Sequence, residues 1–315
     1  MVLVFNGEIY NYQELKKELQ DVGHTFVSNT DSETLIHGYE EWGESLVERL
    51  RGMYAFAIWD TRKKKLFVAR DIFGIKPLYY AQMNGTLMFA SEIKAFMEHP
   101  KFDKVFNEDA LGNYLSFQFV PTNETFFKGV FCLQPGHYFT YENGELNITR
   151  YFEPNFTGDT EKSFEEIVDD VEAVMKESVA MHKISDVEVA SYLSSGVDSS
   201  YLTYLGQVDR TFTVGFDEGK YSEIQDAKEF AASINMKNDA KVITPEEYWD
   251  RLSDIQYYMD EPVADPAAIA LYFLSEEASK KVKVVLSGEG SDELFGGYNI
   301  YCEPLEHTSF NKIPM

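Results

Sequence analysis

The stretch VEVASYLSSGVDSSYLTYL, residues 187–205, sets the fold of the second half of this chain. An apolar strand pattern, Val187 to Leu193, runs into a loop of small residues, Ser194 to Ser200. A helix pattern follows at once, with Val197, Tyr201 and Leu205 in line. Small residues let backbone N–H groups turn inward as a nest, and a helix N-terminus adds roughly half a positive charge beneath an anion. The loop lacks the glycine–lysine pattern of the common P-loop. Ser, Gly and Asp also make ordinary capped turns, so this loop alone does not establish a ligand.

A second stretch, KVKVVLSGEGSDELFGGY (residues 281–298), repeats the arrangement: a strand pattern entering a glycine-rich acidic loop. Between the two, strands and helices alternate. Thr211 to Phe216 reads as a strand, Ile224, Ala227, Ala231 and Ile234 as a helix face, and Lys241 to Ile243 as a short strand. Thr244-Pro245-Glu246-Glu247 opens another helix with Thr at the N-cap and Glu at N3. Such alternation predicts a parallel sheet with helices on both faces, which binds ligands outside the carboxyl ends of its strands. Both loops fall at that edge. Asp198 and Asp292, one from each loop, are candidate magnesium ligands, each with an alternative reading as a helix cap. Glu289 lies in a tight turn whose small neighbours allow a substrate to approach. Val214 and Gly215 face a nucleotide base or simply pack at a strand end.

The first half reads as antiparallel sheet. Val2 to Phe5 is a strand, and residues 53–59 and 66–69 flank the polar DTRKKK. Asn84-Gly85 and Asn143-Gly144 each sit between apolar runs, a strong hairpin signal. One helix follows Asn11, with Glu14 completing a capping box and Leu15 and Leu19 on one face; a second follows Asp31. Many hairpins and few helices predict a layered sandwich. The turn-rich residues 153–163 read as a linker between a domain at 1–152 and one at 164–315, and Phe164, Ile167, Val171 and Val174 space a helix face just after it.

The chain has 315 residues, 44% hydrophobic and 26% charged, which suits two globular domains. Its net charge of −25 argues against nucleic-acid partners and anionic membrane surfaces, though not against a small anion held by backbone dipoles and magnesium. Cys132 and Cys302 are far apart and read as reduced thiols of a cytoplasmic protein. The apolar run Ala267 to Leu274 is far shorter than the ~18 residues that span a bilayer.

The motifs SSGVDSS, TVGF and LSGEGSDELFGGY, in this order, resemble the synthetase domain of glutamine-dependent asparagine synthetases, and the first resembles the SGGxDS loop of enzymes that split ATP into AMP and pyrophosphate. The resemblance implies an adenine nucleotide alpha hydrolase-like α/β domain. It implies ATP binding by Leu193, Ser194, Ser195, Gly196, Asp198, Ser199, Val214, Ser287 and Gly288. It further implies a role for Glu289 in forming β-aspartyl-AMP, and magnesium on Asp198 and Asp292. Ser195 stands where the family usually has glycine, which keeps the backbone donors.

FNGEIYNYQEL (residues 5–15), SNTDSETLIH (28–37), ARDIFGIKPLYY (69–80) and FASEIKAF (89–96) resemble the glutaminase domain of class II amidotransferases, an α+β N-terminal-nucleophile fold. The resemblance implies that Asn6 and Gly7 supply oxyanion donors and that, with them, Glu8 and Asp31 recognise glutamine. The Cys-Gly-Ile opening that supplies the nucleophile in that family does not appear, and the region beyond the GGY motif is shorter than in the family. The expectation is therefore a chain truncated at both ends that does not hydrolyse glutamine at a useful rate. Expected partners are the small molecules ATP, aspartate and glutamine or ammonia; oligomeric state, a homodimer included, stays open. A β-lactam synthetase-like ligase, an RNA thiolation enzyme and a non-catalytic nucleotide-binding module derived from the family are the competing readings. The acidic charge and the glutaminase-like half count against the RNA enzyme.

Overall fold

In the computed structural model, which describes residues 1–156, 161–216, 223–262 and 264–303, the chain divides into two units. Met1–Lys162 and Gln256–Asp265 form the first; Ser163–Ile255 and Pro266–Met315 form the second. The segment 256–265, counted with the second domain from sequence, thus groups with the first. Residues 157–160 of the expected linker and the end of the chain from 304 lie outside the described residues.

The first unit runs β1 (Val2–Ile9), α1 (Tyr12–Asp21), α2 (Asp31–Trp42), β2 (Gly52–Asp60), β3 (Lys65–Arg70), β4 (Tyr79–Met83), β5 (Thr86–Ala90), α3 (Glu108–Phe117), β6 (Val130–Cys132), β7 (His137–Glu142) and β8 (Glu145–Arg150). Its strands make two antiparallel sheets, ordered β1-β2-β3-β7-β8 and β5-β4-β6. Side chains alternate across a strand, and β2 shows what that does here. Tyr54, Phe56 and Ile58 pack with Leu15, Leu35 and Tyr39 of α1 and α2, while Ala55 and Ala57 pack with Leu78, Tyr80, Leu133 and Phe139. The large sheet therefore has helices on one face and the second sheet on the other, as the hairpin pattern predicts.

Both Asn-Gly pairs turn with positive φ at each residue, 50° and 72° at Asn84-Gly85 and 53° and 88° at Asn143-Gly144, the geometry of tight hairpins. β1 reaches four residues past Phe5, because its register with β2 holds from Val2 opposite Trp59 to Ile9 opposite Gly52. Asn11 precedes α1 without capping it. Its amide bridges Arg49 and Arg51 instead, donating to the Arg49 carbonyl and accepting from the Arg51 N–H, each at 2.9 Å. Asp31 is the first residue of α2 rather than its cap, a position taken by the extended Thr30.

The second unit runs α4 (Phe164–His182), β9 (Val189–Tyr192), α5 (Val197–Gly206), β10 (Arg210–Phe216), α6 (Ile224–Ser233), β11 (Lys237–Ile243), α7 (Pro245–Met259, whose last turns belong to the first unit), α8 (Ala267–Ser279), β12 (Val284–Leu286) and α9 (Ser291–Phe295). Its sheet is parallel, ordered β11-β10-β9-β12. Ala190 and Phe212 pack under Ala278 of α8 on one face, and Leu193 packs under Ala227 and Ala231 of α6 on the other. Reciprocal bonds between Thr244 and Glu247 make the expected capping box on α7, and Ser163 with Glu166 makes one on α4. The apolar face expected on α4 stays largely uncovered, with Phe164 76% and Val174 60% exposed. β10 and β11 step away from β9 on one side and β12 returns on the other. The switch point of the sheet, where ligands bind in such folds, is at the carboxyl ends of β9 and β12.

A buried carboxylate organises the loop after β3. Asp71 has no solvent exposure and accepts the backbone N–H groups of Tyr54, Phe73, Ile75 and Lys76 at 3.0–3.1 Å. Arg70 beside it donates to the carbonyls of Lys76, Leu133 and Gly74 at 2.6–2.8 Å. The Tyr151 hydroxyl donates to the Arg70 carbonyl at 2.6 Å and lies 2.9 Å from that of Tyr54, whose own ionisation is strongly opposed by burial. Asp71→Ala leaves the buried Tyr54 N–H and three part-buried donors unpaired and should cost about 3 kcal/mol in urea unfolding, against under about 1 kcal/mol for an exposed control such as Asp21→Ala.

Candidate active site

Two loops meet at the switch point. The first leaves β9 as Leu193-Ser194-Ser195-Gly196 and enters α5, whose N-cap is Gly196. The second leaves β12 as Ser287-Gly288-Glu289-Gly290 and enters α9. β12 pairs directly with β9, Leu286 opposite Ser191, so the loops are neighbours by construction of the sheet. Gly288 packs so closely that a methyl group on it would lie 3.3 Å from the Ser199 nitrogen and 3.5 Å from the Asp198 carbonyl carbon.

The first loop is internally braced by serine. Ser199 Oγ accepts the Ser194 N–H at 3.1 Å and lies 2.8 Å from Ser194 Oγ, which in turn accepts the Gly196 N–H at 3.1 Å. The Ser195 N–H points to the Glu223 carboxylate at 3.3 Å. A side-chain anion thus meets a donor of the loop expected to take a phosphate. Nothing in the local pattern around Glu223 singled it out; only the fold brings it to residue 195.

Leu193 stands differently from the residues that follow it. Its side chain is core, its N–H donates to the Phe212 carbonyl at 2.9 Å, and its carbonyl accepts the Thr213 hydroxyl at 2.7 Å. Val214 lies within β10 and packs beside Ile243 and Phe273. Asp198 is exposed in the first turn of α5. The Asp292 carboxylate rests against Gly297, where a methyl group would lie 2.0 Å from Oδ1. In the second loop the Ser287 hydroxyl donates to Glu289 at 3.1 Å and Ser291 to the Gly288 carbonyl at 3.0 Å.

In the first unit, Asn6, Gly7 and Glu8 are consecutive in β1, so the Asn-Gly pair is strand rather than turn. Asn6 Nδ2 donates to Ser91 Oγ at 3.3 Å. Asp31 Oδ2 accepts the Ile9 N–H at 3.0 Å, which ties the start of α2 to the residue after Glu8. These four residues therefore share one end of the β1–β2 ribbon. A methyl group on Gly7 would lie 2.1 Å from the Met53 carbonyl oxygen, and one on Gly52 would lie 2.2 Å from that of Glu8. Cys132 is mostly buried with Arg70 Nη1 at 3.1 Å from its sulfur, and burial pushes its thiol up despite that cation. It is not an activated nucleophile.

Residues 1–152 match the family described as a glutamine amidotransferase domain, and residues 170–314 match asparagine synthase. Asparagine synthetase [glutamine-hydrolyzing] 1 of Bacillus subtilis is 45% identical over 317 residues, covering 99% of this chain and 50% of that protein. The chain belongs to the asparagine synthetase family. Asparagine synthetase [glutamine-hydrolyzing] 3 of the same organism is 32% identical over 98% of this chain and 52% of its own length. Amidase chry2 of Gibberella zeae is 32% identical over 95% of this chain and 47% of its own. The chain spans about half the length of these asparagine synthetase relatives. Among its described residues no helix is long and apolar enough to cross a membrane.

Two outcomes check this geometry. Gly7→Ala should break the β1–β2 pairing and destabilise the protein by about 2 kcal/mol or more, seen in chemical denaturation. Iodoacetamide should modify the exposed Cys302 at least about 10-fold faster than Cys132, read by peptide mass spectrometry.

Proposed function

We infer that this chain carries the aspartate-adenylating and amide-transfer machinery of an asparagine synthetase. The observation that carries the reading is the pair of glycine-rich loops leaving adjacent strands at the switch point of the parallel sheet, in a chain of this family. A β-carboxylate oxygen of aspartate attacks the α-phosphorus of ATP and expels pyrophosphate. Ammonia then attacks the activated acyl carbon and expels AMP.

The loop Ser194–Ser199 holds the departing pyrophosphate through backbone donors and the start of α5, a helix of ten residues. Glu223 must swing away from Ser195 as the anion enters. Ser195, Gly196, Ser287 and Gly288 approach the nucleotide through backbone; Val214 shapes the strand end beside them, and Leu193, a core residue bonded to β10, fixes where the loop begins. Glu289 orients the aspartate. Asp198 and Asp292 are hard oxygen donors on touching loops, the ligand type magnesium takes, and that ion when bound neutralises triphosphate charge.

In the first unit Asn6 Nδ2 and the Gly7 N–H are the donors for the oxyanion of a glutamine amide under attack, with Glu8 and Asp31 recognising the amino-acid end. The two free thiols suit a reducing cytoplasm.

The test is exchange of labelled pyrophosphate into ATP by the purified chain with magnesium. Exchange should require aspartate and fall at least about 100-fold in Asp198→Ala and in Glu289→Ala, the scale of losing several kcal/mol of transition-state stabilisation. No aspartate-dependent exchange above a protein-free control would overturn the reading.

A further inference from the structure

The connection between α1 and α2 carries a group of side chains that neither reaction uses. His24 lies in the connection; His37, Glu40 and Glu41 lie towards the end of α2, and Glu33 lies one turn before His37. Nδ1 of His24 is 3.2 Å from Nδ1 of His37, and that atom is 3.4 Å from Glu40 Oε2. One donor atom from each of the three lies within 4.8 Å of the other two. Zinc with ligands at about 2.0–2.1 Å in tetrahedral array keeps neighbouring ligand atoms about 3.3 Å apart. The separations of 3.2 and 3.4 Å bracket that value.

The outer ring nitrogens are backed by carboxylates. His24 Nε2 is 3.1 Å from Glu41 Oε2, and His37 Nε2 is 3.5 Å from Glu33 Oε1. Glu33 is itself fixed, accepting the Val27 and Ser28 N–H groups at 2.8 and 2.7 Å and the Ser28 hydroxyl at 2.5 Å. A carboxylate beyond an imidazole keeps the ring proton on its own side and turns the other lone pair away from it, the arrangement that supports metal-bound histidine. Here the two Nδ1 atoms face each other at 3.2 Å, with a Glu40 carboxylate oxygen 3.4 Å from the His37 one. Two imidazole nitrogens and a carboxylate oxygen grouped within 4.8 Å are a donor set that can hold a cation between them. Arg62 is near but engages the opposite oxygen of Glu40, Oε1, at 3.0 Å.

We propose that His24 Nδ1, His37 Nδ1 and Glu40 Oε2 form a structural site for a zinc-type divalent metal, with Glu41 and Glu33 holding the two imidazoles from outside. Two imidazoles and one carboxylate select a borderline transition metal over magnesium or calcium, which take oxygen sets. The bound ion cross-links the α1–α2 connection to α2, the helix that starts at Asp31. The Phe26 ring, 4.6 Å from the His37 ring, covers one side.

The test uses the intact chain, stripped with a chelator and titrated with zinc chloride against a chromophoric competitor. One equivalent should bind. His24→Ala and His37→Ala should each weaken binding at least about 100-fold and Glu41→Gln about 10-fold, with the far-UV spectrum of the metal-free variants unchanged. Cobalt(II) added to the wild-type chain should give the visible bands of a four-coordinate nitrogen and oxygen site, a readout that needs no variant to fold. Zinc binding that persists undiminished in the His24→Ala/His37→Ala double variant overturns the proposal. So does a wild-type chain that takes up no zinc and gives no cobalt bands.

Discussion

Close approach of backbone to backbone at the ends of paired strands is the constraint on which both units depend. In the second unit Gly288 lies against the Asp198–Ser199 backbone, where even a methyl group would sit in tight contact with the facing loop. In the first, Gly7 and Gly52 lie against carbonyls of the facing strand, so β1 and β2 stay paired through the residues that carry Asn6 and Glu8. Each site is thus built on main chain, and side chains are added to a frame that glycine permits. A backbone donor set has a further advantage in an acidic protein. It offers positive dipoles without depending on the few lysines and arginines of a chain with net charge −25.

What was legible in the sequence is what local chemistry decides. Asn-Gly pairs turn because two successive residues need positive φ, and the Thr244–Glu247 box closes because three residues of helix set its spacing. The order of strand, small loop and helix around residues 187–205 was legible for the same reason. Asn11 shows where this stops. Its cap signature was sound, but the Arg49 carbonyl and Arg51 N–H, nearly forty residues on, compete for the same amide and take it. Likewise Val2 to Phe5 reads as strand by composition, whereas the polar Asn6-Gly7-Glu8 is strand only because β2 supplies its partners.

Tertiary satisfaction of polar groups leaves almost no mark in sequence. Asp71 reads as one more acidic residue in a loop, yet it carries the N–H groups of a whole turn and of Tyr54 in β2. Leu193 adjoins the serine-rich loop in sequence, but its amide and carbonyl are spent on β10, so its part in a site can only be to fix where Ser194 begins. Exposure on α4 is the opposite case: its stripe has helical spacing, and spacing does not say what covers it.

Glu223 connects these points to mechanism. An acidic protein that binds a polyanion must either neutralise the ligand or move its own charges away from it. In the proposed phosphate binding, the charge to be moved from Ser195 is Glu223, at the start of α6. Its 3.3 Å contact with a single N–H in an exposed position is weak enough for a phosphate oxygen to replace, since a surface carboxylate gains little from such a bond. The donor is in the meantime held in place by Ser194 and Ser199, whose hydroxyls fix the neighbouring N–H groups independently of any anion. The loop is therefore organised by its own hydroxyls, and in the proposed phosphate binding the cost falls on displacing one carboxylate rather than on ordering the chain.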